Sequence, residues 1–134
     1  MDEPQLKATF EITVDHPLNT TALGNTRHTA DLVEGPNGTL ITTKFEITEK
    51  MPTSMIALTV FYDADFKSVS GKSQSGIPIT LWARRHFIDE NQADIGLDLT
   101  IKIFNALEDL FSKVDKKSLP AKIDVLAIPD YPVN

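Results

Sequence analysis

The side chains in this sequence best suited to hold a metal or pass a proton are its three histidines, His16, His28 and His86. A metal that activates water needs neutral imidazoles and a carboxylate grouped around one open coordination position. No two of these histidines stand at helix-turn spacing, and the pattern H-E-x-x-H, which sets two imidazoles and a glutamate on one helical face, is absent. All three are therefore read as loop or surface histidines. There is no cysteine, no G-x-S-x-G, and no serine or threonine paired with a histidine by motif, so the usual activated nucleophiles lack support. Asp63-Ala64-Asp65 brings two carboxylates together, but this composition suits a turn between strands better than a cation site. No glycine pattern that cradles phosphate occurs. The sequence thus assigns no residue a catalytic, cofactor-binding or metal-binding role.

Composition narrows the classes further. A chain of 134 residues with 41% hydrophobic content can build a core of one domain or parts of two. The net charge of -6 argues against a nucleic-acid partner, because phosphate binding needs a clustered basic surface. The basic pairs Arg84-Arg85 and Lys116-Lys117 are read as solvated. No apolar run approaches the ~20 residues of a membrane span, and Met1-Asp2-Glu3-Pro4 is unlike a signal peptide. Asn19-Thr20-Thr21 and Asn37-Gly38-Thr39 fit the glycosylation pattern, which leaves the compartment open.

The elements that would position these residues are mostly strands in the first half. Phe10, Ile12 and Val14 alternate with Glu11, Thr13 and Asp15, the period of a half-buried strand, and His16-Pro17 should end it. Residues 22–25 suit a short strand and turn, and Gly35-Pro36-Asn37-Gly38 is a strong turn signal. Residues 40–47 follow as a strand rich in Thr, Ile and Phe. Residues 55–62 are almost continuously apolar, which predicts a strand buried on both faces, with residues 66–70 pairing nearby. The polar, glycine-flanked stretch 71–76 is expected to be a flexible loop and domain boundary.

In the second half, Ile77, Ile79, Leu81 and Ala83 should share one face of a strand, with Trp82 on the other. Asp89 and Gln92 resemble a capping box, and Asp89, Glu90 and Asp94 at one end with Lys113, Lys116 and Lys117 at the other suit a helix dipole. Leu99, Ile103, Leu107, Leu110 and Val114, widened by Leu97, Ile101, Phe104 and Phe111, predict a long helix buried on more than one side. Phe104, Leu107 and Phe111 are expected to pack on the neighbouring strands. Ile123, Val125 and Ala127 begin a last strand that Pro129 ends. The expected class is β-rich α+β: an antiparallel β-sandwich-like half domain, then a strand–long helix–strand unit.

Five segments in order carry a resemblance. They are Asp2-Glu3-Pro4-Gln5-Leu6-Lys7-Ala8-Thr9-Phe10, Lys50-Met51-Pro52-Thr53-Ser54-Met55-Ile56-Ala57-Leu58, Gly76-Ile77-Pro78-Ile79-Thr80-Leu81-Trp82-Ala83-Arg84, the helix that follows, and Leu119-Pro120-Ala121-Lys122-Ile123-Asp124 running to Pro129-Asp130-Tyr131. They resemble the zinc aminopeptidases of the aminopeptidase N and puromycin-sensitive aminopeptidase type. That family reads D-E-P-x-x-K-A-x-F, K-M-S-T-Y-L-L-A-F, G-x-x-I-R-I-W-A-R and L-P-x-K-x-D-x-x-x-x-P-D-F at these places. Arg85 stands where the family commonly has proline, Tyr131 replaces a phenylalanine, and Asn134 falls where G-A-M-E-N would begin.

The resemblance implies that residues 1–76 are part of the N-terminal β-domain of an aminopeptidase. It implies that residues 77–134 open the thermolysin-like catalytic domain. A full-length member would bind one zinc and use it with a glutamate to remove N-terminal amino acids from peptides. G-A-M-E-N and H-E-x-x-H are not in this sequence, so the chain is expected to be a fragment or truncated homologue without catalysis or zinc of its own. The alternative is a non-catalytic β-rich binding or scaffold module from the same family. As a fragment it should self-associate through exposed strand edges, at residues 10–14 and 123–128, or by exchange across the 71–76 loop.

Overall fold

The computed structural model describes residues 3, 5–34, 38–111 and 119–128. The chain divides into two compact units, Met1–Asp63 and Ala64–Asn134. Its antiparallel sheets and single long helix place it in the β-rich α+β class.

The first unit holds two antiparallel sheets. Strands β1 (Thr13–Pro17), β4 (Leu40–Phe45) and β3 (His28–Glu34) form one in that order, and β2 (Thr20–Gly24) pairs with β5 (Leu58–Tyr62) in the other. β1 lies further along the chain than the alternating apolar residues suggest. His16 and Pro17 pair with Ile41 and Leu40, and Phe10 and Ile12 instead accept backbone bonds from Thr48 and Phe45 ahead of the strand. Pro17 is tolerated because β1 is an edge strand, where a missing N–H breaks no ladder. The chain turns from one sheet to the other at Leu18-Asn19. Asn19 takes φ 62°, a left-handed conformation that asparagine adopts more readily than most residues.

β5 is not buried on both faces. Phe61 is buried, but Leu58, Val60 and Tyr62 are exposed. Among the described residues its sheet partner is β2, and the side chains of Leu58, Val60 and Tyr62 stay exposed. Of the expected turn at residues 35–38, only Gly38 lies among the described residues, with φ 63°.

The second unit is built on β6 (Phe66–Lys72), β7 (Pro78–Arg84) and β8 (Ile123–Leu126). β6 pairs antiparallel with β7, and not with the strand before it as the sequence suggests. Within the stretch 71–76, Gly71 and Lys72 close β6 and the rest lies in the hairpin loop to β7, inside the second unit, while the compact units divide earlier, between Asp63 and Ala64. β8 joins β7 in parallel, so the intervening chain crosses over the sheet. Along β7, Ile79, Leu81 and Ala83 are buried while Pro78, Thr80 and Trp82 are half-buried. That alternation is the one the sequence predicts. Trp82 donates from Nε1 to Asp124 of β8 at 2.9 Å.

The crossover contains a short helix α1 (Arg85–Asp89) and the long helix α2 (Ala93–Phe111). No capping box forms. Asp89 closes α1 and accepts from Lys67, Gln92 Nε2 bonds Glu90, and Asn91 makes the link with φ 57°. Val114, Lys113, Lys116 and Lys117 lie outside the described residues.

The packed face of α2 also differs from the predicted one. Leu81, Ala83 and Ala93 form a cluster with Val69, Ile88, Leu97 and Val125 around it. A Cβ on Gly96 would stand 3.2 Å from Leu81 Cδ1, and one on Gly71 would stand 2.6 Å from Ile101 Cδ1. The helix thus meets the sheet through 93, 96, 97 and 101. Leu99, Ile103, Leu107, Leu110 and Phe111 are exposed, with Phe104 half-buried, so the stripe richest in leucine and isoleucine faces away.

Candidate functional site

The histidines do not converge, and each is occupied locally. His16 contradicts the surface reading, being 3% exposed. Alternation along β1 turns it inward between Thr20 at the start of β2 and Thr43 in β4. Its Nδ1 lies 2.7 Å from the Thr20 hydroxyl and its Nε2 2.9 Å from the Thr43 hydroxyl. Those hydroxyls in turn donate to the Pro17 carbonyl and to Asp31, each at 2.6 Å. With both ring nitrogens within hydrogen-bond distance of threonine hydroxyls, the imidazole ties β1, β2 and β4 together. His28 is exposed, 3.8 Å from Asp31, and His86 lies against the Phe87 ring in α1.

Among the described residues no three His, Asp or Glu side chains are placed to hold a metal ion. The zinc of the family resembled finds no ligand set in them, and no chemical step is derived through it. Asp63 and Asp65 sit in the turn between β5 and β6, as their composition suggests. Asp63 accepts from the Thr21 hydroxyl, and the Asp65 carbonyl accepts from Arg85 N–H. Arg85 also donates from Nε to the Ala64 carbonyl at 3.0 Å. The Arg84-Arg85 pair is therefore half used as a brace for this turn.

Glu108, which the sequence pattern does not single out, is the most deeply buried acidic or basic side chain among the described residues. It is 2% exposed and accepts from the Ser73 hydroxyl at 2.9 Å through Oε1. Ser73 Oγ also receives the N–H groups of Ser75 and Ile77, at 3.2 and 3.3 Å. Beside it, Gln74 bonds Asn105 twice and Asp109 once. The loop after β6 is thus clamped through Ser73 and Gln74 to the second half of α2, although the composition of 71–76 predicts flexibility. The one sequence signal for this role is spacing, since 93, 97, 101, 104 and 108 fall on one helical stripe.

The recognised segments meet in pairs. Ala8 and Met51 exchange two backbone hydrogen bonds, of 3.1 and 3.0 Å, which joins the Asp2-to-Phe10 segment to the Lys50-Met51 segment in the first unit. In the second unit Ile79 and Ile123 are in register between β7 and β8. Asp2, Pro4 and Tyr131 lie outside the described residues. The segments so placed act as framework, holding strands together by main-chain bonds.

Residues 1–55 match the Peptidase M1 N-terminal domain. Aminopeptidase N of Mus musculus is 38% identical over 133 residues, covering 97% of this chain and 13% of that protein. Aminopeptidase Q of Homo sapiens is 39% identical over 132 residues, again with 97% of this chain and 13% of that protein. Aminopeptidase Q of Mus musculus is 37% identical over 134 residues, and the aligned part is 22% of it. The chain therefore spans less than a quarter of each of these relatives.

Proposed function

Starting from a chain that belongs to the M1 zinc aminopeptidase family, we propose that it is a structural segment of an aminopeptidase that removes N-terminal amino acids from peptides. The observation that carries this is identity of 38–39% to aminopeptidases N and Q across 97% of the chain. In this reading the first unit is part of the N-terminal β-domain. Residues 77–134, which hold β7, α2 and β8 of the second unit, open the thermolysin-like catalytic domain. The zinc, its ligands and the water-activating glutamate belong to the rest of such an enzyme, and this chain contributes the scaffold they are built against.

The exposed stripe of α2 supports the reading. Ile95, Leu99, Ile103 and Leu110 are between 53% and 77% exposed. An apolar face of that kind marks a surface that is normally covered. The test is direct. The purified chain, dialysed after loading with zinc, should retain no stoichiometric metal and should not cleave an aminoacyl reporter. Retained zinc at one per chain, or turnover by the pure protein, would overturn the proposal that the chemistry lies elsewhere.

A further inference from the structure

The turn between β1 and β2 carries a motif that the framework role leaves unused. Asn19-Thr20-Thr21 has the asparagine, and the hydroxyl two residues on, that N-linked glycosylation requires. Neither the middle residue nor the one after Thr21 is proline. The structure puts Asn19 in an exposed two-residue turn, Leu18-Asn19, with φ 62°. The main chain holds this turn on both sides. Leu18 N–H donates to the Thr39 carbonyl at 3.3 Å, and the Asn19 carbonyl accepts from Asp63 N–H at 3.0 Å. The Asn19 side-chain amide makes no hydrogen bond among the described residues. Asn25 shows the contrast, its amide donating to the Met55 carbonyl and accepting from Ala57 N–H. A bulky group on Nδ2 of Asn25 would break a contact of the fold, and on Nδ2 of Asn19 it breaks none.

We propose that Asn19 is the acceptor of an N-linked oligosaccharide, donated by a lipid-linked oligosaccharide diphosphate. A bond forms between Asn19 Nδ2 and the anomeric carbon of the first sugar. The bond from that carbon to the diphosphate oxygen breaks with its electron pair, the lipid diphosphate leaves, and Nδ2 gives one proton to a base of the transferase. Asn37-Gly38-Thr39 fits the same pattern, but Asn37 lies outside the described residues, so the structural argument reaches Asn19 alone. In the folded chain the Thr21 hydroxyl donates to Asp63 Oδ1 at 2.6 Å. That bond ties up the hydroxyl which the motif supplies for recognition. Transfer therefore belongs to the chain before β2 pairs with β5, and the exposed turn lets the sugar remain once the strands have closed. The modification assigns the chain to a secretory lumen, where donor and transferase meet. The inference is independent of the aminopeptidase reading, which stands whether or not Asn19 is modified.

The test is expression of the full chain behind a cleavable secretion signal in a eukaryotic cell, then peptide mapping before and after an amidase that releases N-linked sugars. The amidase leaves aspartate wherever a sugar was attached, so Asn19 and Asn37 are read separately. The expected result is a sugar at Asn19 in most copies, occupancy lower by roughly tenfold or more in Thr21→Ala, and a large part of it restored in Thr21→Ser. An unmodified Asn19 in the unsubstituted chain would overturn the proposal. So would unchanged occupancy in Thr21→Ala. The sugar is read on total cellular chain as well as on secreted chain, so a variant that does not fold still gives a result.

Discussion

Replacing Ser73 with alanine should destabilise the second unit far more than its place in a polar surface loop would suggest. The hydroxyl donates to Glu108 Oε1 at 2.9 Å, and that is the only bond Glu108 makes through its carboxyl group among the described residues. A hydrogen bond to a charged acceptor contributes about 1.5–3 kcal/mol, and leaving the group buried without it costs the full desolvation penalty. The N–H contacts from Ser75 and Ile77 are long, at 3.2 and 3.3 Å, and add about 0.5 kcal/mol each at most. The sum is about 2–4 kcal/mol. For a domain of this size it lowers the thermal midpoint by roughly 10–25 °C.

The assay is denaturant unfolding followed by fluorescence. The single tryptophan, Trp82, lies in β7, so its signal reports on the second unit. A second variant separates this account from a general intolerance of the loop. Ser73→Ala combined with Glu108→Met removes both partners and leaves no buried carboxyl group stranded. It should therefore recover about 1–2 kcal/mol relative to Ser73→Ala alone. A single variant that loses less than about 0.5 kcal/mol would refute the reasoning, and so would a double variant no more stable than the single one.

Ile79 is fully buried, so Ile79→Ala should cost about 2–5 kcal/mol and Ile79→Val about 0.5–1.5 kcal/mol. Phe111→Ala, at a side chain 52% exposed, should cost less than about 1 kcal/mol by the same fluorescence assay. Gly71→Ala would drive a methyl to 2.6 Å from Ile101 Cδ1, and should cost about 1–3 kcal/mol with much of it recovered by Ile101→Val, which removes that carbon. If the chain is a segment with uncovered strand edges, light scattering over a wide dilution series should show mass rising with concentration. A constant monomer mass would favour a self-contained module.

Where sequence and structure agree, the deciding force is one that periodicity captures. β7 was legible because Ile79, Leu81 and Ala83 face a helix while the alternate positions do not. The existence of α2 was equally clear from its spacing, but its packed face was not. Two stripes run along it. The one made of Ile95, Leu99, Ile103 and Leu110 has more hydrocarbon, and the sheet instead meets the one containing Ala93, Gly96, Leu97 and Ile101. Close approach selected the second, because the absence of a side chain at Gly96 lets the helix sit near Leu81, and counting apolar residues cannot register that advantage. The same limit applies to β5, whose apolar run predicts burial although Leu58, Val60 and Tyr62 are exposed.

Polar burial was the least legible feature, for a related reason. His16 before a proline reads as the end of a strand, and Glu108 within a helix reads as solvated. Each becomes structural only through partners far away in sequence, Thr43 for the histidine and Ser73 for the glutamate. The two cases differ in a way that bears on function. Both nitrogens of His16 have a threonine hydroxyl within hydrogen-bond distance, and both threonines belong to the first unit. Glu108 is half satisfied, and the outer stripe of the same helix is uncovered. The exposed stripe of that helix is the face that the remaining enzyme would cover in the reading proposed above.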